Sequence, residues 1–139
     1  LFVTFGKKIF LLADGSLYKA NNKMEKIAAN ISEFNISPED AVLSFFHEGE
    51  FSYYGADGQN SNLVTRSGET LQNLVVKNAV GYAFYSNDTG LNAMELDARD
   101  QQNHHILYQS KSIQKFVMDS TGRSIILLDN GELKYTEIR

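Results

Sequence analysis

Apolar residues along this chain fall in short runs, each closed by a polar turn. Ile9-Phe10-Leu11-Leu12 runs into Asp14-Gly15, and Ile125-Ile126-Leu127-Leu128 runs into Asn130-Gly131. Asp-Gly and Asn-Gly pairs accept positive φ at both central positions of a turn, which marks a tight hairpin. An apolar run of four to eight residues between such turns reads as a strand buried on both faces. Lys19 to Ala29 is the single stretch that could be read as a helix. It is short and polar, and no helix is assigned to it.

The runs repeat. Gly15, Gly49, Gly90 and Gly131 are spaced by 34, 41 and 41 residues. Three of them open similar stretches: Gly15-Ser16-Leu17-Tyr18, Gly49-Glu50-Phe51-Ser52 and Gly131-Glu132-Leu133-Lys134. The Gly90 unit departs, reading Gly90-Leu91-Asn92-Ala93. A second element recurs with the first. Ile31 to Ile36, Leu71 to Val76 and Ile113 to Met118 each carry apolar residues at their first, fourth and sixth places, and their starts lie 40 and 42 residues apart. Each is followed by a turn and then by an apolar run.

One repeat therefore predicts four strands. They are expected at 1–5, 8–13, 16–20 and 25–30 in the first unit, and at 31–37, 41–48, 50–55 and 61–67 in the second. The third has 71–77, 81–87, 91–97 and 104–110; the fourth has 113–118, 123–129 and 132–138 and lacks an outer strand. Four antiparallel strands in about 40 residues, repeated, is the pattern of a β-propeller blade. The second strand of each unit is apolar throughout and calls for a neighbouring sheet on each side. A strand with one solvated face would alternate instead. The expected fold class is all-β, a β-propeller-type array of about four four-stranded antiparallel blades, part of a larger propeller. The blades are 1–30, 31–70, 71–112 and 113–139 of a single segment. The chain begins at Leu1 rather than Met, the expectation being an excised or processed piece. A compact four-bladed ring is the alternative, with Leu1 to Phe5 supplying the strand that the last blade lacks.

Ile36-Ser37-Pro38-Glu39-Asp40, a buried strand and then Gly49 resemble the Ser-Pro-Asp-Gly turn of WD40-like and TolB-like propellers. Trp-Asp and Gly-His marks are absent, so the likeness is to the looser TolB-like and YncE-like group. The stretch from Tyr82 to Asn103 is similar to blades of bacterial surface proteins that join a PEGA domain to a propeller. The resemblance implies an interaction platform, by analogy of fold alone.

Composition narrows the function classes. The 139 residues carry 42% hydrophobic and 22% charged residues, which suits a globular chain. A net charge of -4 argues against broad electrostatic binding of nucleic acid. No apolar run approaches the ~20 residues of a membrane helix. With no cysteine, disulfides, thiol catalysis and thiolate metal sites are excluded. Lys7, Lys8, Lys19, Lys23 and Lys26 tilt the first unit basic, as edge protection or as a weak anion site.

No catalytic motif stands out. There is no Gly-x-Ser-x-Gly elbow, phosphate-binding glycine loop or His-Glu-x-x-His. His104 and His105 are strand neighbours pointing to opposite faces, which makes them poor joint ligands, and His47 is the remaining histidine. The 57–62 stretch (Asp57, Gly58, Gln59, Asn60, Ser61, Asn62) is rich in oxygen ligands, but it lacks the EF-hand pattern and reads equally as a turn. Ser86-Asn87-Asp88-Thr89-Gly90 resembles an Asp-box, which is a structural turn. Asp97 and Asp100 are spaced as an acid/base pair could be, or as a solvated loop. Asn30, Asn35 and Asn87 stand in glycosylation tripeptides.

The expected function is a non-catalytic interaction or scaffold module of a larger bacterial, extracytoplasmic protein. The alternative is a propeller-based hydrolase or lyase with its site in the central channel. Candidate contact residues are Asp57, Gln59, Asn60, Asn62, Asp97, Arg99, Asp100, Gln102 and Asn103, from the two longest polar connections. No catalytic residue, metal or cofactor is assigned. Expected partners are a protein or other blades of the parent protein, with self-association through the open blade edge and no nucleic acid.

Overall fold

The computed structural model describes residues 1–5, 8–20, 22–55, 57–58, 61–97 and 102–138. Gln59, Asn60, Arg99 and Asp100 of the candidate set lie outside the described residues. Fifteen strands are present among those described, at the places the repeat predicts. The first sheet holds β1 (Phe2–Phe5), β2 (Lys8–Ala13), β3 (Ser16–Ala20) and β4 (Met24–Ala28). The second holds β5 (Ile31–Ser37), β6 (Val42–His47), β7 (Glu50–Tyr54) and β8 (Ser61–Arg66). The third holds β9 (Gln72–Lys77), β10 (Tyr82–Asn87), β11 (Gly90–Glu95) and β12 (His104–Gln109). The last holds β13 (Ile113–Met118), β14 (Ser124–Asp129) and β15 (Glu132–Glu137). Within every sheet, hydrogen-bonded neighbours are consecutive in the chain and antiparallel. No described helix is long and apolar enough to cross a membrane.

Two expectations are corrected. The outer strand of the first sheet ends at Ala28 rather than at residue 30. Asn30 takes a positive φ of 54°, and the Ile31 amide donates to the Gly15 carbonyl at 2.8 Å, which carries the chain into the next sheet. Leu1 to Phe5 does not complete the last sheet. The segment pairs with β2 from Phe2 opposite Leu11 to Phe5 opposite Lys8, and the Leu12 amide donates to the Leu1 carbonyl at 2.9 Å.

The hairpins follow from the turn residues. Asp14-Gly15, Glu48-Gly49 and Asn130-Gly131 all sit at φ between 47° and 82°. Two successive positive φ values match the twist of the flanking strands. The third sheet turns differently: its two central turn residues, Asp88 and Thr89, do not take positive φ, and the glycine follows them as the first residue of β11, with φ 143° at Gly90.

The chain divides into two compact units, Leu1–Gly68 and Glu69–Arg139. In the first unit, Phe10 and Leu17 of the first sheet pack with Leu43, Phe45 and Tyr54 of the second. The Phe10 and Tyr54 rings meet at 5.1 Å and 53°, and the Lys19 ammonium lies 5.4 Å from the Tyr54 ring centre. In the second unit, Phe84, Leu91 and Ala93 pack with Ile113, Phe116, Ile125 and Leu127. Each fully buried Leu or Phe contributes roughly 1.5–3 kcal/mol.

Burial of the second strands differs from sheet to sheet. Val42 to Phe46 of β6 and Ala83 to Ser86 of β10 are buried at every position. β2 and β14 do not meet the expectation of burial on both faces: Ile9 is 47% and Ile126 48% exposed. Their sequences are as apolar as those of β6 and β10, but one face of each sheet lies open.

The turn glycines predict a graded cost. A Cβ on Gly90 would run into the Tyr108 carbonyl oxygen, whereas a Cβ on Gly15 meets nothing within 4 Å. Gly15→Ala is expected to cost ~1 kcal/mol for its left-handed backbone. Gly90→Ala is expected to cost roughly 2–3 kcal/mol, since β12 must move away from β11 as well. Denaturant titration of the two variants measures the difference.

Candidate functional site

Two polar arrangements stand out, both in the unit of residues 69–139. The first is centred on Asp129, the last residue of β14, which is 4% exposed. Its Oδ1 accepts from Ser110 Oγ at 2.5 Å and from Ser112 Oγ at 2.7 Å. Its Oδ2 accepts from Tyr108 OH at 2.9 Å, and the Lys134 ammonium stands 3.4 Å away. Tyr108 belongs to β12, while Ser110 and Ser112 lie in the link to β13, so the carboxylate ties the third sheet to the last. The hydrogen bonds from Ser110 and Ser112, with smaller contributions from Tyr108 and Lys134, hold its pKa down to about 2. All four neighbours satisfy the ionised form. This is a structural knot rather than an acid/base group.

Asn87 occupies the corresponding place at the end of β10. Its Oδ1 accepts from the Thr89 amide at 3.0 Å, Thr89 Oγ1 at 2.7 Å, the Gly90 amide at 3.3 Å and Asn92 Nδ2 at 2.9 Å. Its Nδ2 donates to Glu69 at 2.7 Å. The segment that resembles an Asp-box is thus a structural turn, and Asn87 rather than Asp88 organises it.

The second arrangement is a cleft of about 600 Å³ between β10–β12 and the turn joining β13 to β14. Tyr82, Phe84, Leu107 and Ile138 form its apolar wall, and His105, Thr121 and Arg123 bring polar groups to it. His105 lies opposite Ala93 in the strand register, which sets its ring on the Phe84 face of the sheet. The turn is fixed by Asp119, whose Oδ1 accepts from the Arg123 amide at 3.0 Å and the Ser124 amide at 3.2 Å. Its Oδ2 accepts from Thr121 Oγ1 at 2.8 Å. The Thr121 hydroxyl bond first, and the backbone amides after it, keep the Asp119 carboxyl below its usual range. Tyr82 donates to Glu95 Oε1 at 3.3 Å. Burial and the adjacent Glu95 charge raise its phenol pKa, so it stays protonated and uncharged. Among the described residues no carboxylate lies within ion-pair distance of the Arg123 guanidinium.

The candidate contact residues are placed as follows. Asp57 is exposed, and Asn62 is exposed on β8 opposite Tyr53. Asp97 is exposed just beyond β11. Gln102 Nε2 donates to the Glu95 carbonyl at 3.1 Å, and Asn103 Nδ2 donates to Glu95 Oε2 at 2.8 Å. These two amides hold the loop to its own sheet. His104 and His105 diverge as strand neighbours do: Tyr85 OH lies 3.4 Å from His104 Nδ1, while His105 borders the cleft. His47 stacks on Phe45 at 5.6 Å. Among the described residues no three His, Asp or Glu side chains converge as metal ligands.

Sequence reasoning missed Asp129, Ser110, Ser112, Thr121 and Arg123. One signal was present. The apolar second strands end on His47, Asn87 and Asp129 at corresponding places, and a polar residue closing a buried strand needs partners. The cleft gave no such signal, since its polar residues come from a turn and a strand 14 or more residues apart.

No family profile matches the chain, and no curated protein matches it. Its fold matches a crystal structure from Bacteroides uniformis, a protein proposed to be a 6-phosphogluconolactonase, with a TM-score of 0.60 and 10% sequence identity. The match covers 98% of this chain and 49% of the other, so this chain spans about half of that protein's length. That neighbour has a β-propeller-like fold. With four consecutive antiparallel meander sheets, the chain is an all-β, β-propeller-type array of about four blades.

The Asp129 knot makes a prediction about acid. Its pKa is depressed in the folded protein, so its contribution to stability is complete above the unfolded value near 3.8 and is lost as pH falls toward about 2. Asp129→Asn should lower the melting temperature at pH 7. Its difference from the parent should shrink steadily between pH 4 and pH 2, as read by thermal melts across that range.

Proposed function

We propose that the chain is a propeller-type domain that binds a small anionic molecule in the cleft bordered by His105 and Arg123, and that the protein it serves is a hydrolase. The observation that carries this is Arg123, which lines an apolar-walled cleft of about 600 Å³ and has no carboxylate partner among the described residues. A concave, largely apolar pocket with a few convergent polar groups is the usual form of a small-molecule site. An arginine fork matches carboxylate or phosphate oxygens in pairs. Thr121 and His105 add hydrogen-bonding groups, and Phe84 and Leu107 offer a face for the ligand's apolar side.

The Bacteroides uniformis neighbour supports the hydrolase part of the reading, since that protein is proposed to be a 6-phosphogluconolactonase, an enzyme whose name implies a phosphorylated sugar lactone. Such a molecule has the charge and size that this cleft suits. In this reading Arg123 holds the phosphate or carboxylate, and His105 is the group able to move a proton to or from water or the leaving oxygen. Asp119 takes no part in the chemistry. It sets the turn that aims Arg123.

A second reading, a non-catalytic interaction array within a larger extracytoplasmic protein, is favoured by the open apolar sides of the first and last sheets, where Phe2 is 74% and Leu133 78% exposed. The connections 55–62 and 97–103 are its candidate contact loops.

Calorimetric titration with 6-phosphogluconate tests the first reading. Saturable binding is expected, and Arg123→Ala should weaken it at least tenfold while leaving the fold intact. Lactone hydrolysis above the spontaneous rate, lost in His105→Ala, would support the catalytic role. Absence of binding at millimolar ligand would overturn the cleft as the site.

A further inference from the structure

Two hydroxyls border the cleft, and the proton of each is already in use. Tyr82 stands on β10, and Thr121 belongs to the turn across from it. The Tyr82 hydroxyl donates to Glu95 Oε1 at 3.3 Å. Glu95 is its cross-strand partner on β11, and Asn103 Nδ2 holds Glu95 Oε2 at 2.8 Å. The Thr121 hydroxyl donates to Asp119 Oδ2 at 2.8 Å, while the Arg123 and Ser124 amides fix Asp119 Oδ1. Each hydroxyl therefore has behind it a carboxylate that other groups of the protein anchor.

A hydroxyl has one proton to donate and two lone pairs that accept. Once the proton is committed, lone pairs are all that it offers a ligand. The protonation states keep that assignment at neutral pH. The Thr121 bond and the backbone amides hold the Asp119 carboxyl below its usual range, so it stays ionised and only accepts. Burial and the Glu95 charge push the Tyr82 phenol up, so its proton stays in place. An anion set against either oxygen would meet lone pairs backed by a carboxylate, which is repulsive. The anionic group of a ligand is thus left to Arg123, which lines the same cleft and has no carboxylate partner among the described residues. Lys77 neighbours Tyr82 in the same cross-strand row, but it is buried and does not line the cleft.

We infer that Tyr82 and Thr121 are specificity residues of this cleft, fixed acceptors that select an anionic ligand bearing hydroxyl groups over the same anion without them. Resting on the cleft reading, this goes further, because Arg123 and an apolar wall alone would hold any small anion of suitable size. A site arranged to hydrogen-bond a ligand hydroxyl rejects the analogue lacking it, since its own polar atoms are then left unpaired. Thr121 is exposed and Tyr82 half-buried, so water partly replaces a missing partner. The expected discrimination is accordingly about tenfold, well below that of a fully enclosed site.

Calorimetric titration of the full chain with two compounds tests this. 6-Phosphogluconate carries a run of hydroxyls, whereas 6-phosphohexanoate keeps both anionic groups and the six-carbon chain and has none. The first should bind about tenfold more tightly. Tyr82→Phe keeps the ring and removes the acceptor. It should erase most of that preference while 6-phosphohexanoate binds within about twofold of its affinity for the parent. Thr121→Val should act in the same direction. Equal affinity of the parent for the two compounds overturns the inference and leaves the anion cleft standing. Failure of both to bind at millimolar concentration overturns the cleft reading and the inference with it. A preference that survives both substitutions also overturns it, since the hydroxyls would then be read elsewhere. An equal loss of both compounds in Thr121→Val removes Thr121 from the pair, because its hydroxyl would then serve only the turn that carries Arg123. The comparison on the parent needs no variant, so it decides even where a substituted chain fails to fold.

Discussion

An apolar β-sheet face must be covered, and the architecture here follows from meeting that requirement one sheet at a time. A meander of four short strands makes a sheet whose second strand is apolar on both sides. Alone, such a sheet would leave large apolar surfaces in water. Stacked sheets supply the cover, and the packing of Phe10 and Leu17 on Leu43, Phe45 and Tyr54 shows the arrangement at work. In the second unit Phe84, Leu91 and Ala93 are covered in the same way by Ile113, Phe116, Ile125 and Leu127. Where cover is missing, apolar side chains such as Ile9 and Ile126 stay exposed.

Polar residues do different work. They close strands and pin turns at the rims of the sheets. Asp129, Asn87 and Asp119 each gather several donors from a turn or a neighbouring strand. A buried carboxylate or amide is tolerable when its hydrogen bonds are complete, and it then specifies one register over its neighbours. The cleft inherits its shape from one of these devices. The Asp119 turn brings Arg123 and Thr121 to the mouth of an apolar groove between two sheets.

The strands were legible because three independent signals agreed: apolar runs, Asp-Gly or Asn-Gly turns, and a repeat near 40 residues. Even the irregular Gly90 unit fell into place, although its turn is organised by the Asn87 side chain rather than by paired positive φ values. What sequence could not show was which apolar strands would be covered. Ile9 and Ile126 read the same as Val42 or Phe84, yet the first two are about half exposed and the others buried. The cleft was illegible for a related reason. Arg123 looks like any loop arginine until the turn and β12 are placed side by side. Polar content alone pointed instead to the longest loops, where Gln102 and Asn103 prove to be spent on Glu95.

Every described strand pairing joins neighbours in sequence, and that bears on how the chain reaches its fold. Low sequence separation between partners keeps the entropy of loop closure small, which speeds folding relative to β-sandwiches of the same size. Each sheet can form from its own 30 to 40 residues without waiting for a distant segment to be made. Repeat architectures of this kind behave as nearly one-dimensional systems, in which ordering starts at one module and spreads to its neighbours. Gain or loss of a module between two sheets would then break no hydrogen-bonded ladder. The link at Gly68-Glu69, where the two compact units divide, is the natural seam for such duplication, permutation or splitting of the chain.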